Sequence, residues 1–218
     1  TLDEANPLVL AVAGVPKVEI VVGRKPSPVV AFAADELRTF LGQAIGGAVA
    51  VVPEPTGPLT TILVGAQDGP AAVSVDVAAL PRDAFVIKAG DNRIVIAGRD
   101  DPRVDPRRDL RGTYERATLF GVYEFLERFV GVRFYFPGPV GTVAPRRPDL
   151  QIPRVDLYEE PDCDQRRVYP GPESRWFETL DKEEARRART LQSLRSREQT
   201  FYIPCCHGLS RRCLAKRF

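Results

Sequence analysis

An α/β fold of α+β character is predicted: a small mixed sheet with two helices on one face, followed by the start of a (β/α) barrel. Three observations predict it. Residues 27–47 and 113–131 each carry apolar side chains at three-and-four spacing between a helix start and a helix stop. Around them lie short runs rich in valine, isoleucine and phenylalanine, bounded by glycine and proline, which read as strands. Residues 166–204 then run strand, helix, strand, the repeating unit of a parallel α/β barrel.

In chain order, Val18–Gly23 reads as the first strand. Ser27-Pro28 supplies an N-cap followed by a proline at the first helical position, where its missing N–H costs nothing. The apolar positions Val30, Ala33, Ala34, Leu37, Phe40, Leu41, Ala44 and Ile45 give that helix one buried face, and Gly46-Gly47 ends it. Short strands follow at Val49–Val52 and Thr61–Gly65. Ala84–Ala89 and Arg93–Gly98, joined by Gly90-Asp91-Asn92, have hairpin spacing, so part of the sheet is antiparallel. Arg99–Arg111 is charged and contains two prolines, and reads as an exposed loop. The second helix begins at Thr113 or Thr118 and runs to Val130, with Gly131 as its stop and Val132–Phe136 as the next strand. Pro137–Pro161 is proline-rich and lacks helical periodicity, which predicts a surface connector. Beyond it come a strand at Arg166–Tyr169, a polar helix at Asp181–Arg197 and a strand at Thr200–Pro204.

The 218 residues are 44% hydrophobic and 28% charged, which permits a real core and excludes global disorder. No apolar run approaches the ~18 residues that cross a bilayer. Leu8–Val15, the longest near the start, follows acids rather than lysines and does not read as a signal peptide. The chain begins at Thr1 and contains no methionine, so this terminus is expected to come from cleavage or from cutting of a longer sequence. A removed signal peptide would make the protein secreted or periplasmic. Residues 1–162 carry 18 Lys+Arg against 22 Asp+Glu, and residues 163–218 carry 13 against 7. That basic tail is the one feature in favour of a nucleic-acid surface. Its aromatics Trp176, Phe177, Phe201 and Tyr202 are not interleaved with the arginines as a stacking platform needs, so no nucleic-acid partner is expected.

The segment ATLFGVYEFLERFVGVRFYFPGPVGTVAPRRPDLQIP, residues 117–153, resembles the N-terminal α/β domain that precedes the barrel in glycoside hydrolase family 20 hexosaminidases and family 67 α-glucuronidases. It is also similar to bacterial proteins bearing domain of unknown function 4838, the nearest of the three groups. AADELRTFLGQAIGG resembles the first helix of the same domain, and TILVG and FVIKAGDNRIVIAG resemble its strands. The resemblance implies an accessory domain over residues 1–153 and a truncated barrel start over 154–218. It implies a non-catalytic front portion of a carbohydrate-active enzyme, with carbohydrate as the partner of the full barrel. A stand-alone carbohydrate- or protein-binding module is the alternative. The hexosaminidases open their barrel with Pro-x-Phe-x-x-Arg, whose arginine resembles a ligand for sugar hydroxyls. Pro161, Cys163 and Arg166 occupy those places, with cysteine where the pattern has an aromatic and Arg167 as an alternative.

Glycoside hydrolysis usually needs two carboxylates flanking the scissile bond. Glu124 and Glu127 lie three apart on a helix and read as a solvated face; Asp162 and Asp164 sit in the connector. No catalytic residue is therefore assigned. His207, the only histidine, follows the strand Thr200–Pro204, and residues just past barrel strands line the active-site mouth. Trp176, the only tryptophan, follows the first barrel strand and offers a ring on which a sugar face can stack. Arg166, His207 and Trp176 are the candidate substrate contacts. The cysteines, Cys163, Cys205, Cys206 and Cys213, lack the CxxC spacing of a zinc site, and a site from the last three with His207 is weak. No GxGxxG, phosphate loop or GxSxG elbow occurs, so neither metal nor cofactor is expected. The sequence sets no oligomeric state.

Overall fold

A computed structural model describes residues 2–65, 75–109, 113–163, 166 and 181–201. Strands β1 (Leu2–Val12), β2 (Val15–Pro16) and β3 (Val18–Val21) lead into helix α1 (Pro28–Ile45). Then come β4 (Ala50–Val52), β5 (Thr60–Val64), β6 (Phe85–Gly90) and β7 (Arg93–Gly98). Helix α2 (Ala117–Phe125) continues as a π-helical turn over Leu126–Val130, and β8 (Arg133–Phe134) and β9 (Thr142–Val143) form a small ribbon. Strand β10 (Leu150–Glu159) and helix α3 (Lys182–Arg195) complete the described chain.

The main sheet has eight strands in the order β2-β1-β10-β6-β7-β5-β3-β4. Pairs β3/β4, β3/β5 and β5/β7 are parallel and the remaining pairs antiparallel, so the sheet is mixed, as predicted. Helices α1 and α2 pack on one face, α2 with every residue but Glu124 buried. There Ile20, Ile62, Ile94, Ile96 and Ile87 meet Leu37, Leu41, Phe120 and Tyr123 in the main core. The other face holds a smaller cluster of Val21, Leu63, Val86, Val95 and Ala97, against which Val75, Val77 and Leu80 pack.

Local signals act as the sequence predicts in α1. The Ser27 hydroxyl accepts from the Val30 amide at 3.2 Å, and Gly46, at φ 87°, closes the helix by donating its N–H to the Gly42 carbonyl at 2.8 Å. The β6–β7 turn places Asp91 and Asn92 at φ 49° and 59°, the left-handed pair a two-residue hairpin needs. The Asn92 side chain then pins the loop before β5, accepting from the Thr60 hydroxyl at 2.6 Å and donating to the carbonyls of Pro58 and Leu59.

The two longest strands correct the expected connector and the expected start. Residues 150–159 are not a surface crossing but a central strand between β1 and β6, and residues 2–12 form its outer partner. Pro7 and Pro153 explain why neither reads as a strand. Both sit where the β1/β10 register jumps between Leu8↔Ile152 and Asp3↔Arg154, an irregular stretch in which a missing N–H breaks no ladder. The expected boundary at 153/154 falls inside β10. The expected strand Val132–Phe136 shortens to β8 and leaves the main sheet for the ribbon. At the expected strand Thr200–Pro204, Thr200 and Phe201 form a bend, and the rest lies outside the described residues.

Candidate functional site

A cleft of about 230 Å³ opens where the loop before β6, the exit of β10, the side of α2 and the end of α3 converge. Its polar lining includes Asp83, Glu124, Glu159, Arg166 and Arg197. Asp83 is the deepest of these. Its side chain is 1% exposed and its backbone is left-handed, at φ 66°, a conformation aspartate tolerates better than most residues. Its carboxylate accepts from Arg166 Nη2 at 2.6 Å, from the Thr200 amide at 3.3 Å and from the Thr200 hydroxyl. Arg82, next in sequence, clasps Thr200 from the other side, donating to its hydroxyl at 2.9 Å and its carbonyl at 2.7 Å.

Arg166 lies in the cleft wall, and its fork is occupied by protein. Besides Asp83, it donates from Nε to the Arg197 carbonyl at 3.3 Å and from Nη1 to the Cys163 carbonyl at 3.0 Å. Its amide binds Gln199 Oε1 at 2.8 Å. The geometry makes Arg166 a clip joining three chain segments. Trp176, His207, Arg167, Asp164, Cys205, Cys206 and Cys213 lie outside the described residues.

Glu124 and Glu127 are not the solvated pair their spacing suggests. Helix α3 covers that side of α2: the Glu124 side chain is 14% exposed and meets Arg128 at 2.7 Å and Arg197 at 3.4 Å. Glu127 meets Arg197 at 2.6 Å. Arg128 also reaches Glu159 at 3.1 Å. Asp83, Glu124 and Glu159 in the cleft are thus each matched to a guanidinium, an arrangement that fixes segments to one another. Glu160, on the rim, accepts from the Tyr158 hydroxyl at 2.5 Å.

Two further buried polar clusters carry no mark in the sequence. Under α3, Arg195 and Glu36 form an ion pair at 3.1 Å with both side chains 13% exposed. Tyr123 donates its hydroxyl to the same Glu36 at 3.0 Å, and burial, reinforced by that carboxylate, holds the phenol well above its ordinary range. At the start of α2, where Arg116 provides no side-chain cap, Asp100 Oδ1 accepts from the Thr118 amide at 3.0 Å. Although the residue is only half-buried, its carboxyl group is withdrawn from water, and desolvation raises its pKa to about 7 against the pull of Thr118. Nearby, burial lowers the Arg116 guanidinium, which lies over the Tyr114 and Phe120 rings, and raises Tyr114 to about 12. Asp100 is one of an adjacent pair with Asp101 in a charged loop and Asp83 follows Pro81-Arg82, and no pattern of neighbours marks either as buried.

Among the described residues no group of three or more His, Cys, Asp or Glu is placed to hold a metal ion. No helix among them is long and apolar enough to cross a membrane.

No protein-family model matches the chain, and no curated protein matches it in sequence. Three solved structures to which the fold is similar are glycoside hydrolases. One is a family GH115 4-O-methyl-α-glucuronidase with specificity for decorated arabinogalactans, at 13% identity and a TM-score of 0.48, over 72% of this chain and 19% of that one. Another is the GH20 β-N-acetylhexosaminidase from Streptomyces coelicolor, at 16% identity and a TM-score of 0.46, over 74% of this chain and 25% of that one. A third is a mutant Streptomyces plicatus β-hexosaminidase in complex with product, at 15% identity and a TM-score of 0.44, with the same coverage of 74% and 25%. The matched region thus spans 19% to 25% of the length of these enzymes.

Proposed function

We propose that this chain is the non-catalytic N-terminal portion of a glycoside hydrolase: an accessory α/β domain followed by the opening of a catalytic barrel that acts on a polysaccharide or glycan. The observation that carries the reading is the resemblance of Ala117–Pro153 to the N-terminal domain of family 20, family 67 and domain-4838 proteins. The charge pattern of the cleft supports the non-catalytic half of it. A general acid needs a carboxyl group that can hold and release a proton toward a leaving oxygen. Asp83, Glu124 and Glu159 are instead engaged by arginines. In this reading the acid belongs to later barrel strands. Arg166, Trp176 and His207 contribute sugar contacts only once the barrel is complete, and Arg166 must then release part of its present hydrogen bonding.

The test is hydrolysis of a panel of chromogenic glycosides by residues 1–218 and by the longer chain encoded by the same reading frame. The short chain is expected to be inactive and the long one active. Turnover by the short chain alone, abolished by Glu124→Gln or Glu159→Gln, would overturn the proposal. Retention of the short chain on an immobilised glycan, with no activity in a longer form, would favour a binding module instead.

A further inference from the structure

Residues 181–201 lie across the α1–α2 face without adding a strand to the sheet, and polar contacts hold them there. Asp181 caps α3 by accepting from the Glu183 and Glu184 amides, both at 2.8 Å, so the helix is locally well formed. Its apolar anchoring is thin: Ala185 and Leu194 are its buried hydrophobics, Leu191 is half-buried against the core, and Lys182, Glu183, Glu184, Arg186 and Arg187 are exposed. Gln192 donates to the Phe134 carbonyl at 2.9 Å. Arg195 sits 5.0 Å and 5.1 Å from the ring centres of Phe40 and Phe134 while gripping Glu36. Arg197 on Glu124 and Glu127, Thr200 on Asp83 and Arg82, and Gln199 and the Arg197 carbonyl on Arg166 add to the attachment. Segments with few buried apolar contacts are the ones from which sub-global opening is drawn.

We propose that residues 181–201 are a strap that opens and closes as a unit over the α1–α2 face, with the Arg195–Glu36 pair as its latch. The pair is sufficiently buried that removing one partner leaves a charge in a poor environment, whereas neutralising both does not. Tyr123 is the other titratable group bonded to Glu36, and its hydroxyl can still donate to a glutamine there. Methionine at position 195 would fill the gap between Phe40 and Phe134 with a thioether suited to ring contacts. Opening withdraws Ser196 and Arg197 from the cleft they line, so closing is what completes that wall. The device holds whatever the parent enzyme cleaves.

Amide hydrogen exchange on the full chain tests it, comparing the wild type with E36Q, R195M and E36Q/R195M. Each single variant is expected to speed exchange of the amides of residues 185–195 by at least about tenfold, while α1, β5 and β7 keep their protection. The double variant is expected to exchange more slowly than either single variant, because no charge is left stranded, yet faster than the wild type, because the latch itself is gone. Acceleration spread evenly over strap and sheet would make the strap part of one cooperative unit and overturn the proposal. Unchanged exchange in both single variants would show that the pair is no latch, with the same consequence.

Discussion

The Asp100 carboxyl group accepts the Thr118 amide hydrogen bond at the start of α2 from a position withdrawn from water. Its pKa of about 7 in the folded chain, against an ordinary 3.8, means that the folded state keeps this proton to a higher pH than the unfolded state does. Between those values folding binds protons, so the contribution of Asp100 to stability is full at acid pH and is lost as pH rises through about 7. The shift corresponds to a change of up to about 4 kcal/mol. An asparagine in its place would keep an acceptor for the Thr118 amide without the ionisation. Asp100→Asn is therefore expected to unfold at higher urea than the wild type at pH 8, and at nearly the same urea at pH 4. A wild-type advantage at pH 8 would refute this. Residues of this kind are illegible in a sequence because burial, not identity, makes them unusual. Pro161 and its spacing single out Arg166 in the sequence, but not its partner: Asp83, which it binds, lies 83 positions away and carries no mark of its own.

At the scale of elements, α2 illustrates how closely a helix and a sheet can approach. A Cβ at Gly121 would lie 2.8 Å from Ile96 Cγ2 and 3.2 Å from the Phe85 ring, both in the middle of the core. Gly121→Ala is accordingly expected to destabilise the protein by about 1–3 kcal/mol in urea unfolding, despite alanine's better helix propensity. A stabilised variant would mean that the strands yield at that point. Elements with their own punctuation were legible: α1 between Ser27-Pro28 and Gly46, and the β6–β7 hairpin at Asp91-Asn92. The strands β1 and β10 were not. Their ladder is interrupted at Pro7 and Pro153, and the regular alternation that betrays a half-buried strand is broken at the same place.

For the whole molecule, the main core joins residues from Leu8 to Leu194 in one cluster, so damage to either end of the sheet should be felt throughout it. Leu10 of β1 is fully buried. Leu10→Ala is expected to cost about 2–5 kcal/mol, with far- and near-ultraviolet circular dichroism changing at a single urea midpoint. Separate midpoints would show that β1 melts on its own. The fold class could be read from the sequence because helices and hairpins are local. The sheet order could not, since pairing of residues 2–12 with 150–159 is decided by contacts across the full length of the domain.

That distant pairing bears on biosynthesis. As the polypeptide emerges from the ribosome, β6 and β1 must wait, each with an open edge, until the strand that fills the gap between them has been translated. A nascent chain arrested before β10 would display β6, with Phe85, Val86 and Ile87, as an unfilled template for another chain's strand. Its interrupted intermediates are the ones expected to require chaperones.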